Sequence, residues 1–325
     1  MDGDKKTMGS KGVDRTGVLP ELRRMLEEND RLPPLTEEEM KAPARRMKAE
    51  ADLPAMWGRA EEVERIEDIV IPTAAAELRA RIYRPANAKG TILFLHGGGW
   101  ALGSLDTHDR PTRMLANLVP ANIVSLEYRK SPEHPFPAAV VDSDAGLDWL
   151  LANGAKLGLD TQAIILAGES AGGNLAAVLA IHARDRGIAL AGQVLIYPVT
   201  DTAMETESYV RFAEGFNLTA ETMRWFADQT FAEASHRVHP DAAPVHAEDF
   251  GGLAPAYVIT AEFDPLRDDG RAYAARLIEA GTDVTYEEWK GAIHGFWMMH
   301  AITPATFAVI GVAADWIRGR WSDGA

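Results

Sequence analysis

Short apolar runs alternate with helical stretches along most of this chain, and this alternation constrains the fold more than any other feature of the sequence. The runs consist mostly of β-branched residues and leucine, and several are continuously apolar, which is typical of parallel strands covered on both faces. Strands that alternate with helices predict an α/β fold with a mostly parallel sheet. The apolar runs lie at 91–97, 122–128, 163–168, 193–198 and 256–261, and the helical stretches at 107–119, 138–153, 171–185, 268–280 and 304–318. A further, more polar strand is expected at 284–289.

Two further strands are predicted ahead of this series. Residues 63–72 and 78–85 alternate apolar and polar side chains, as half-buried strands do, and only a short link joins them. They are therefore expected to pair antiparallel at one edge, which gives a central sheet of eight strands flanked by helices.

The N-terminal segment is predicted to be helical but too broken to form a core of its own. Residues 1–60 form this segment, and roughly the first 17 of them resemble a frayed tail. Thr36 and Glu39 make a capping-box pattern, which predicts that a helix starts there. Several prolines divide the segment into short helices, so it is expected to pack on a larger body.

One connection between strands is too long for a simple crossover. Nearly sixty residues separate the strand that ends near Tyr197 from the strand at 256, whereas a crossover needs only ~10–15. Residues 199–239 are therefore interpreted as an insertion that joins the N-terminal helices to form a cap. The core then comprises residues 61–198 and 240–325.

Charge and cysteine content exclude several classes of function. The chain has 33 Lys and Arg against 48 Asp and Glu, a net charge of −15, which argues against nucleic acid and against an anionic membrane surface. It also weakly disfavours anionic substrates. The chain has no cysteine, so thiol nucleophiles, cysteine-ligated zinc and iron–sulfur clusters are excluded. The start of the chain is polar, and no apolar run approaches the roughly 18 residues of a membrane helix. A cytoplasmic protein without a stable membrane anchor is the simplest expectation.

A serine nucleophile is predicted at the end of the strand at 163–168. The sequence Gly168-Glu169-Ser170-Ala171-Gly172 matches the pattern G-x-S-x-G, and it joins a buried strand to an Ala-rich helix. In such a sharp turn the serine hydroxyl projects above the sheet at a helix N-terminus, which favours developing negative charge. The pattern alone is common by chance, but its strand–turn–helix setting makes it specific.

An oxyanion-binding loop is predicted after the strand at 91–97. The residues His96-Gly97-Gly98-Gly99-Trp100 follow the strand directly, and consecutive glycines allow backbone N–H groups to point at one spot. Acyl transfer needs such donors where the tetrahedral oxyanion forms. Gly98, Gly99 and Ala171 are the expected donors, and His96 is expected to hold the loop. No phosphate-binding glycine pattern occurs here.

His294 is the candidate general base. It follows the strand at 284–289 and precedes the last helix, so it can reach Ser170 across the carboxyl ends of the strands. His182 lies twelve residues along the helix that begins at Ser170, about 18 Å away, which excludes it. His246 comes too early in the topology. The other histidines after the serine are expected to be at the surface or packed: His236, His239 and His300.

The acid that orients this base should follow the strand at 256–261. Asp264 lies in the loop directly before Pro265 and is the first candidate, with Glu262 as the second. Asp268 and Asp269 begin the next helix, where carboxylates act as caps. The acid need only fix the imidazole tautomer and stabilise its cation.

These motifs together resemble the hormone-sensitive-lipase-like esterases among the bacterial α/β-hydrolases. The matching segments are HGGGW (96–100), YRKSPEHPFPA (128–138), GESAGGNLA (168–176), YP (197–198), DPLRDDG (264–270) and HGF (294–296), in the expected order. The resemblance implies an α/β-hydrolase fold with a helical cap, and it places the triad on Ser170, Asp264 and His294. One departure is Glu169, where the larger subfamily has aspartate, so the hydrogen bonds behind the serine must be arranged differently.

The resemblance implies a carboxylesterase that hydrolyses short- to medium-chain acyl esters without a metal or organic cofactor. Amide hydrolysis or deacetylation by the same triad stays open, whereas a non-catalytic ligand receptor on this scaffold would be expected to have lost a triad residue. Many members of the family form homodimers. The cap is expected to cover the site with Trp57, Trp225 and Phe226, and the substrate pocket to be lined by Trp100, Tyr197, Phe216, Leu218 and Met298.

Overall fold

A computed structural model describes residues 12–33 and 35–322 of the chain. Its centre is one sheet of eight strands, in the spatial order β1-β2-β4-β3-β5-β6-β7-β8. The first two strands pair antiparallel, β2 is antiparallel to β4, and every other pairing is parallel. The predicted mostly parallel sheet with an antiparallel edge is therefore confirmed. The strands are β1 (Arg65–Pro72), β2 (Glu77–Arg84), β3 (Thr91–Leu95), β4 (Asn122–Glu127), β5 (Ile164–Glu169), β6 (Gly192–Ile196), β7 (Ala256–Phe263) and β8 (Val284–Ile293).

Helices follow most of the strands, as the alternation in the sequence predicts. The helices are α1 (Pro20–Asn29), α2 (Ala42–Trp57), α3 (Asp109–Leu118), α4 (Ala138–Asn153), α5 (Ala171–Asp185), α6 (Glu207–Arg211), α7 (Ala220–Thr230), α8 (Ala234–Arg237), α9 (Arg267–Glu279) and α10 (Ala305–Ser322). Short 3-10 turns lie at Gly154–Leu157, Pro244–His246 and Phe296–Met298.

The central strands are apolar throughout because the sheet is covered on both faces. Along β3, Leu93 and Leu95 join a core cluster with α4, α5 and α9, whereas Ile92 and Phe94 join a second cluster with α3 and α10. Successive side chains of a strand point to opposite faces, so each face of the sheet receives its own hydrophobic layer. The result is a three-layer arrangement of helices, sheet and helices. The carboxyl ends of the parallel strands all lie on the same side of the sheet, above which the cap sits.

The N-terminal helices pack against the insertion between β6 and β7. Leu22 and Leu26 of α1 share a buried cluster with Phe212 and Phe216 of the insertion. Arg46 Nε of α2 donates one hydrogen bond to the backbone carbonyl of Ala101, at 2.7 Å, in the loop after β3. These contacts hold both helical segments over the carboxyl edge of the sheet. The division into cap and core at residues 60, 198 and 240 stays a prediction.

Helix α2 begins later than its capping-box pattern predicts. The box itself forms, since the Thr36 amide donates to Glu39 Oε2 at 2.8 Å and the Glu39 amide donates to Thr36 Oγ1 at 3.3 Å. These bonds form a turn that precedes the helix, and the helix itself begins at Ala42. Pro43 explains the difference, because its ring clashes with a helical carbonyl four residues earlier and it has no N–H to donate.

The predicted frayed tail spans roughly residues 1–17, and the structure describes only residues 12–17 of it. Residues 1–11 lie outside the described part of the chain, but Arg15 is 8% exposed and bonds Asp30 through two nitrogens, at 2.8 and 3.0 Å. Its Nε also donates to the carbonyl of Gly215 in the insertion at 2.8 Å. These bonds tie Arg15 to α1 and to the insertion, and the extent of the tail stays a prediction.

Candidate active site

Ser170 occupies the sharp turn between β5 and α5. Its backbone has φ 55° and ψ −119°, a conformation that a residue with a side chain rarely adopts. The turn can be this tight only with glycine on both sides. A Cβ on Gly168 would lie 2.2 Å from the Gly172 carbonyl oxygen, and a Cβ on Gly172 would lie 2.0 Å from that of Leu95. The spacing G-x-S-x-G is thus required by packing at this point.

Two hydrogen bonds connect Ser170, His294 and Asp264 in a line. His294 Nε2 lies 3.1 Å from Ser170 Oγ, and His294 Nδ1 lies 2.7 Å from Asp264 Oδ2. Asp264 is fully buried, and its other oxygen accepts the Leu266 amide at 2.9 Å, which fixes the carboxylate. The second candidate acid, Glu262, instead accepts the Gly291 amide at 2.8 Å.

Opposing effects set the protonation of His294. Burial by itself lowers the pKa of this imidazole, but the charge of Asp264 and its hydrogen bond, with a contribution from Glu169, raise the pKa above its ordinary value. The carboxylates therefore stabilise the imidazolium that forms when the histidine accepts a proton. The ring of Tyr197 lies against His294, at 4.5 Å between centroids, and limits its rotation.

The glycine loop after β3 faces Ser170 across a shared cavity. Gly98 and Gly99 have φ values of 109° and 58°, and both line this cavity with the serine. Within the described chain neither amide N–H has a backbone acceptor. Ala171 is the first residue of α5, so its N–H has no acceptor in the helix either. Among the described residues, the three N–H groups predicted to be oxyanion donors therefore have no backbone acceptor, and their role stays a prediction.

His96 holds the loop from behind, as the sequence predicts for it. The ring is fully buried and stacks on Tyr128 at 4.3 Å, while its Nδ1 lies 2.8 Å from the Gly97 carbonyl oxygen. Tyr128 in turn donates to the His96 carbonyl at 2.8 Å. Burial lowers the pKa of His96 well below its ordinary value, which keeps the ring neutral.

A buried pair behind the serine was missed by the sequence analysis. Glu169 is 5% exposed, and its Oε1 lies 2.8 Å from His108 Nε2. Thr107 Oγ1 lies 2.8 Å from the other ring nitrogen. Burial alone would raise the pKa of Glu169, but the hydrogen bond and charge of His108 lower it below its ordinary value. The signal in the sequence was Glu169 itself, whereas nothing about His108 singled it out.

A cavity of about 330 Å³ opens above Ser170 and His294. Leu218 and Met298 line it as predicted, together with Phe226. Helix α2 contributes a further group that the sequence analysis did not anticipate: Arg45, Lys48, Ala49, Asp52, Leu53 and Met56. This volume is at the lower end of the range for small-molecule sites.

The other predicted pocket residues lie elsewhere. Trp100 packs on Phe231 at 5.4 Å, away from the cavity, because the loop after the glycines turns its side chain into the core. Phe216 stacks on Phe263 at 5.5 Å, and Tyr197 lies beneath His294 instead of lining the opening. Trp57 is 1% exposed and contacts His300. These aromatic side chains are buried behind the residues that line the cavity and do not line it themselves.

The remaining histidines have structural surroundings. His182 bridges Asp144 at 2.9 Å and Asp241 at 3.0 Å, and these hydrogen bonds raise its pKa to about 10.

Across the ranges that the structure describes, no group of three or more His, Asp or Glu side chains is arranged to hold a metal ion. In the same ranges, no helix combines the length and apolar character needed to cross a bilayer.

Comparison with known proteins places this arrangement in a family. A family model described as α/β hydrolase fold matches residues 92–298, which include the glycine loop, Ser170, Asp264 and His294. The chain belongs to the hormone-sensitive-lipase-like α/β-hydrolases. The resemblance stated from the motifs is therefore confirmed.

Named relatives extend over most of the chain. The carboxylic ester hydrolase LipN of Mycobacterium tuberculosis is 40% identical over 71% of this chain, and the match spans 64% of LipN, less than two thirds of that protein. The carboxylesterase NlhH of the same species is 38% identical over 72% of this chain and 76% of NlhH. The structure of a Pyrobaculum calidifontis esterase superposes with a TM-score of 0.86 at 40% identity, covering 93% of this chain and 98% of the esterase.

Proposed function

We propose that this protein is a serine carboxylesterase that hydrolyses short- to medium-chain acyl esters. The observation that carries the proposal is the continuous hydrogen-bonded line Asp264–His294–Ser170 at the base of an apolar cavity. The names of the relatives, carboxylic ester hydrolase and carboxylesterase, agree with this activity.

In the proposed reaction, His294 Nε2 accepts the proton of Ser170 Oγ as the oxygen attacks the ester carbonyl. The amide N–H groups of Gly98, Gly99 and Ala171 stabilise the oxyanion that forms on the carbonyl oxygen. The imidazolium, stabilised by Asp264, then protonates the departing alkoxide. Water deprotonated by the same imidazole attacks the acyl-enzyme, and release of the carboxylic acid regenerates the serine.

The volume and lining of the cavity support small acyl groups. About 330 Å³ is available, and apolar side chains such as Leu218, Phe226 and Met298 surround it. The Phe226 ring packs directly over the glycine loop, since a Cβ on Gly99 would lie 2.2 Å from that ring. A long chain would have to displace the ring or pass beside it, so the rate should be highest for short and medium chains.

Ser170→Ala tests the nucleophile. Rates on a series of p-nitrophenyl esters from acetate to palmitate should peak at short or medium chains, and the variant should lose at least about a thousandfold in kcat. Ser143→Ala is a suitable control, because this buried helix serine only donates back to the Ala139 carbonyl at 2.8 Å. A folded Ser170→Ala protein with the wild-type rate would contradict the proposal, and a maximum at palmitate would contradict its chain-length part.

Two sequence expectations belong to the same proposal. A homodimer follows from the family resemblance and is measured by sedimentation equilibrium. Cytoplasmic location is consistent with the absence of cysteine and is measured by fractionation of the producing cells. A monomer at micromolar concentration, or enzyme found outside the cytoplasm, would contradict the respective part.

A further inference from the structure

Arg45 places a positive charge on the wall of the candidate active site, and no carboxylate of the described residues pairs with it. It belongs to the first turn of α2 and lines the cavity that also contains Ser170 and His294. Its Nη1 is buried and has no hydrogen-bond partner among residues 12–33 and 35–322. A buried guanidinium nitrogen without an acceptor is energetically unfavourable, which indicates that something else satisfies it.

The guanidinium is held in place by aromatic rings. Its carbon lies 4.2 Å from the centroid of Trp225 and 5.8 Å from that of Phe226, both in α7. Stacking of this kind orients the planar group and leaves its edge available to an acceptor. Phe226 also packs over Gly99 of the oxyanion loop, so this one ring contacts both the Arg45 guanidinium and the loop.

Neighbouring charges show why Arg45 is exceptional. Arg46, the next residue, is paired with Glu133 at 2.6 Å. Lys48 also lines the cavity, but it is paired with Asp52 at 2.7 Å, and both of these side chains are about half exposed. Glu169 at the base of the cavity is paired with His108. Among the charged side chains of the described cavity wall, Arg45 is the cation left without an ion-pair partner.

We infer that Arg45 binds a carboxylate carried by the substrate, so that esters with a second, ionised carboxyl group are preferred substrates. The inference rests on the proposed esterase function and assigns its substrate class. A guanidinium binds a carboxylate through two parallel N–H···O bonds, and the apolar surroundings strengthen this interaction relative to water. Burial lowers the pKa of Arg45, yet its guanidinium stays protonated at neutral pH, because the ordinary pKa of arginine lies far above 7. The net charge of −15 slows the approach of an anion over the whole surface, but it does not remove this local contact.

The carboxylate can belong to the acyl or to the alcohol part of the ester, and two substrate series separate these cases. The first series is the monoethyl esters of succinic, glutaric, adipic and pimelic acids. The second is the acetate esters of hydroxypropanoic, hydroxybutanoic and hydroxypentanoic acids. Each acid is compared with its primary amide, which has nearly the same size and no charge.

The wild-type enzyme should hydrolyse the best carboxylate ester with a kcat/KM about 10- to 100-fold above that of its matched amide, since hydrogen bonds to charged groups have this strength. Arg45→Met should abolish this ratio, because kcat/KM on the carboxylate ester should fall about 10- to 100-fold further than kcat/KM on its amide. Arg45→Lys keeps the charge without the bidentate geometry, so it should retain part of the ratio. Lys41→Met is the matched control, because Lys41 is an exposed cation beside the start of the same helix and does not line the cavity.

The outcomes separate this inference from the proposed function. Hydrolysis of the neutral amide-bearing esters without a preference for any carboxylate would overturn the inference and leave the esterase proposal intact. An equal loss on both substrate types in Arg45→Met would also overturn it, because the residue would then act only through packing of the cap. If Arg45→Met fails to fold, the ratio in Arg45→Lys decides, and an unchanged or increased ratio in that variant contradicts bidentate binding. Failure of the wild type to hydrolyse any ester would contradict the esterase proposal itself.

Discussion

The substitution Glu169→Gln tests the electrostatics behind the proposed nucleophile. Glu169 is 5% exposed at the base of the cavity, and its carboxylate accepts a hydrogen bond from His108 at 2.8 Å. Its negative charge is one of the effects that raise the pKa of His294. Glutamine has the same length and an oxygen in the same position, so the substitution removes the charge and retains the shape.

The first expected result concerns the pH dependence of catalysis. His294 must be neutral to accept a proton, so kcat/KM falls as the pH decreases through its pKa. Removal of the Glu169 charge makes the imidazolium less favourable and therefore lowers that pKa. The acid limb of the kcat/KM profile should move to lower pH in the variant, while the plateau should fall because the imidazolium formed during catalysis is less stabilised.

The second expected result concerns stability. A hydrogen bond to a charged group contributes about 1.5–3 kcal/mol and a neutral one about 1 kcal/mol, so the variant should lose about 1–2 kcal/mol at pH 7. With an unfolding entropy of about 2.1 cal/mol/K per residue, a chain of 325 residues loses about 1.5 °C of Tm per kcal/mol. Calorimetry should therefore show a Tm lower by about 1.5–3 °C.

The pH dependence of this stability difference has a defined sign. The pKa of Glu169 is below its ordinary value of 4.5 in the folded protein. Its stabilisation is thus fully present above that value and is lost as the pH falls through the lower, folded pKa. Wild type and variant should converge in stability at acidic pH.

Glu169→Asp is the matched control because it keeps the charge and shortens the side chain by one methylene. Its acid limb should stay close to that of the wild type, whereas its stability should decrease as the contact with His108 lengthens. An acid limb that is unchanged or moved to higher pH in Glu169→Gln would refute the electrostatic coupling. A stability difference that persists undiminished at acidic pH would refute the assignment of Glu169 as a buried anion.

Three further predictions concern a glycine at the serine turn, a bridging histidine and an aromatic side chain of the cavity. Gly172→Ala should destabilise the fold by about 3 kcal/mol or more, since its Cβ would lie 2.0 Å from a backbone oxygen of β3, whereas Gly311→Ala, with open space in α10, should stabilise it by about 0.5–1 kcal/mol in urea titrations. His182→Gln should cost about 1–2 kcal/mol below pH 6.5, after allowance for solvent screening, and this difference should disappear as the pH rises through about 10, the pKa of His182. Phe226→Ala should raise the ratio of octanoate to acetate hydrolysis about tenfold by enlarging the cavity, and Phe231→Ala, which packs away from it, should not.

The fold and the reacting groups were largely predictable from the sequence because they depend on local patterns. The apolar runs predict the strands because burial on both faces of the sheet requires them. The turn around Ser170 is predictable for a similar reason: the two glycines are demanded by backbone contacts as short as 2.0 Å. The choice of Asp264 and His294 rests on chain order and on the edge of the sheet where all parallel strands end. The structure brings these side chains within hydrogen-bonding distance.

Predictions failed where the outcome depends on how side chains pack over long sequence separations. Trp100 and Tyr197 belong to the motifs and Phe216 to the predicted cap, yet each of these aromatic side chains packs in a core cluster and does not line the cavity. The capping box at Thr36 forms as predicted, but the proline that follows delays the helix to Ala42. Hydrophobicity indicates that a residue is buried without indicating which surface buries it.

The sequence by itself determined the α/β-hydrolase architecture, the position of the serine turn and the order of the three candidate catalytic residues, because each follows from periodicity, glycine spacing or topology. The tertiary structure alone decided which side chains surround them. His108 lies 61 positions before Glu169, and Arg45 lies 180 positions before Trp225. Only the folded chain shows that His108 contacts Glu169, and that Arg45 stacks on Trp225 with no ion-pair partner among the described residues. Charge in a low-dielectric cavity depends on distance in space, and no local pattern in the sequence records that distance.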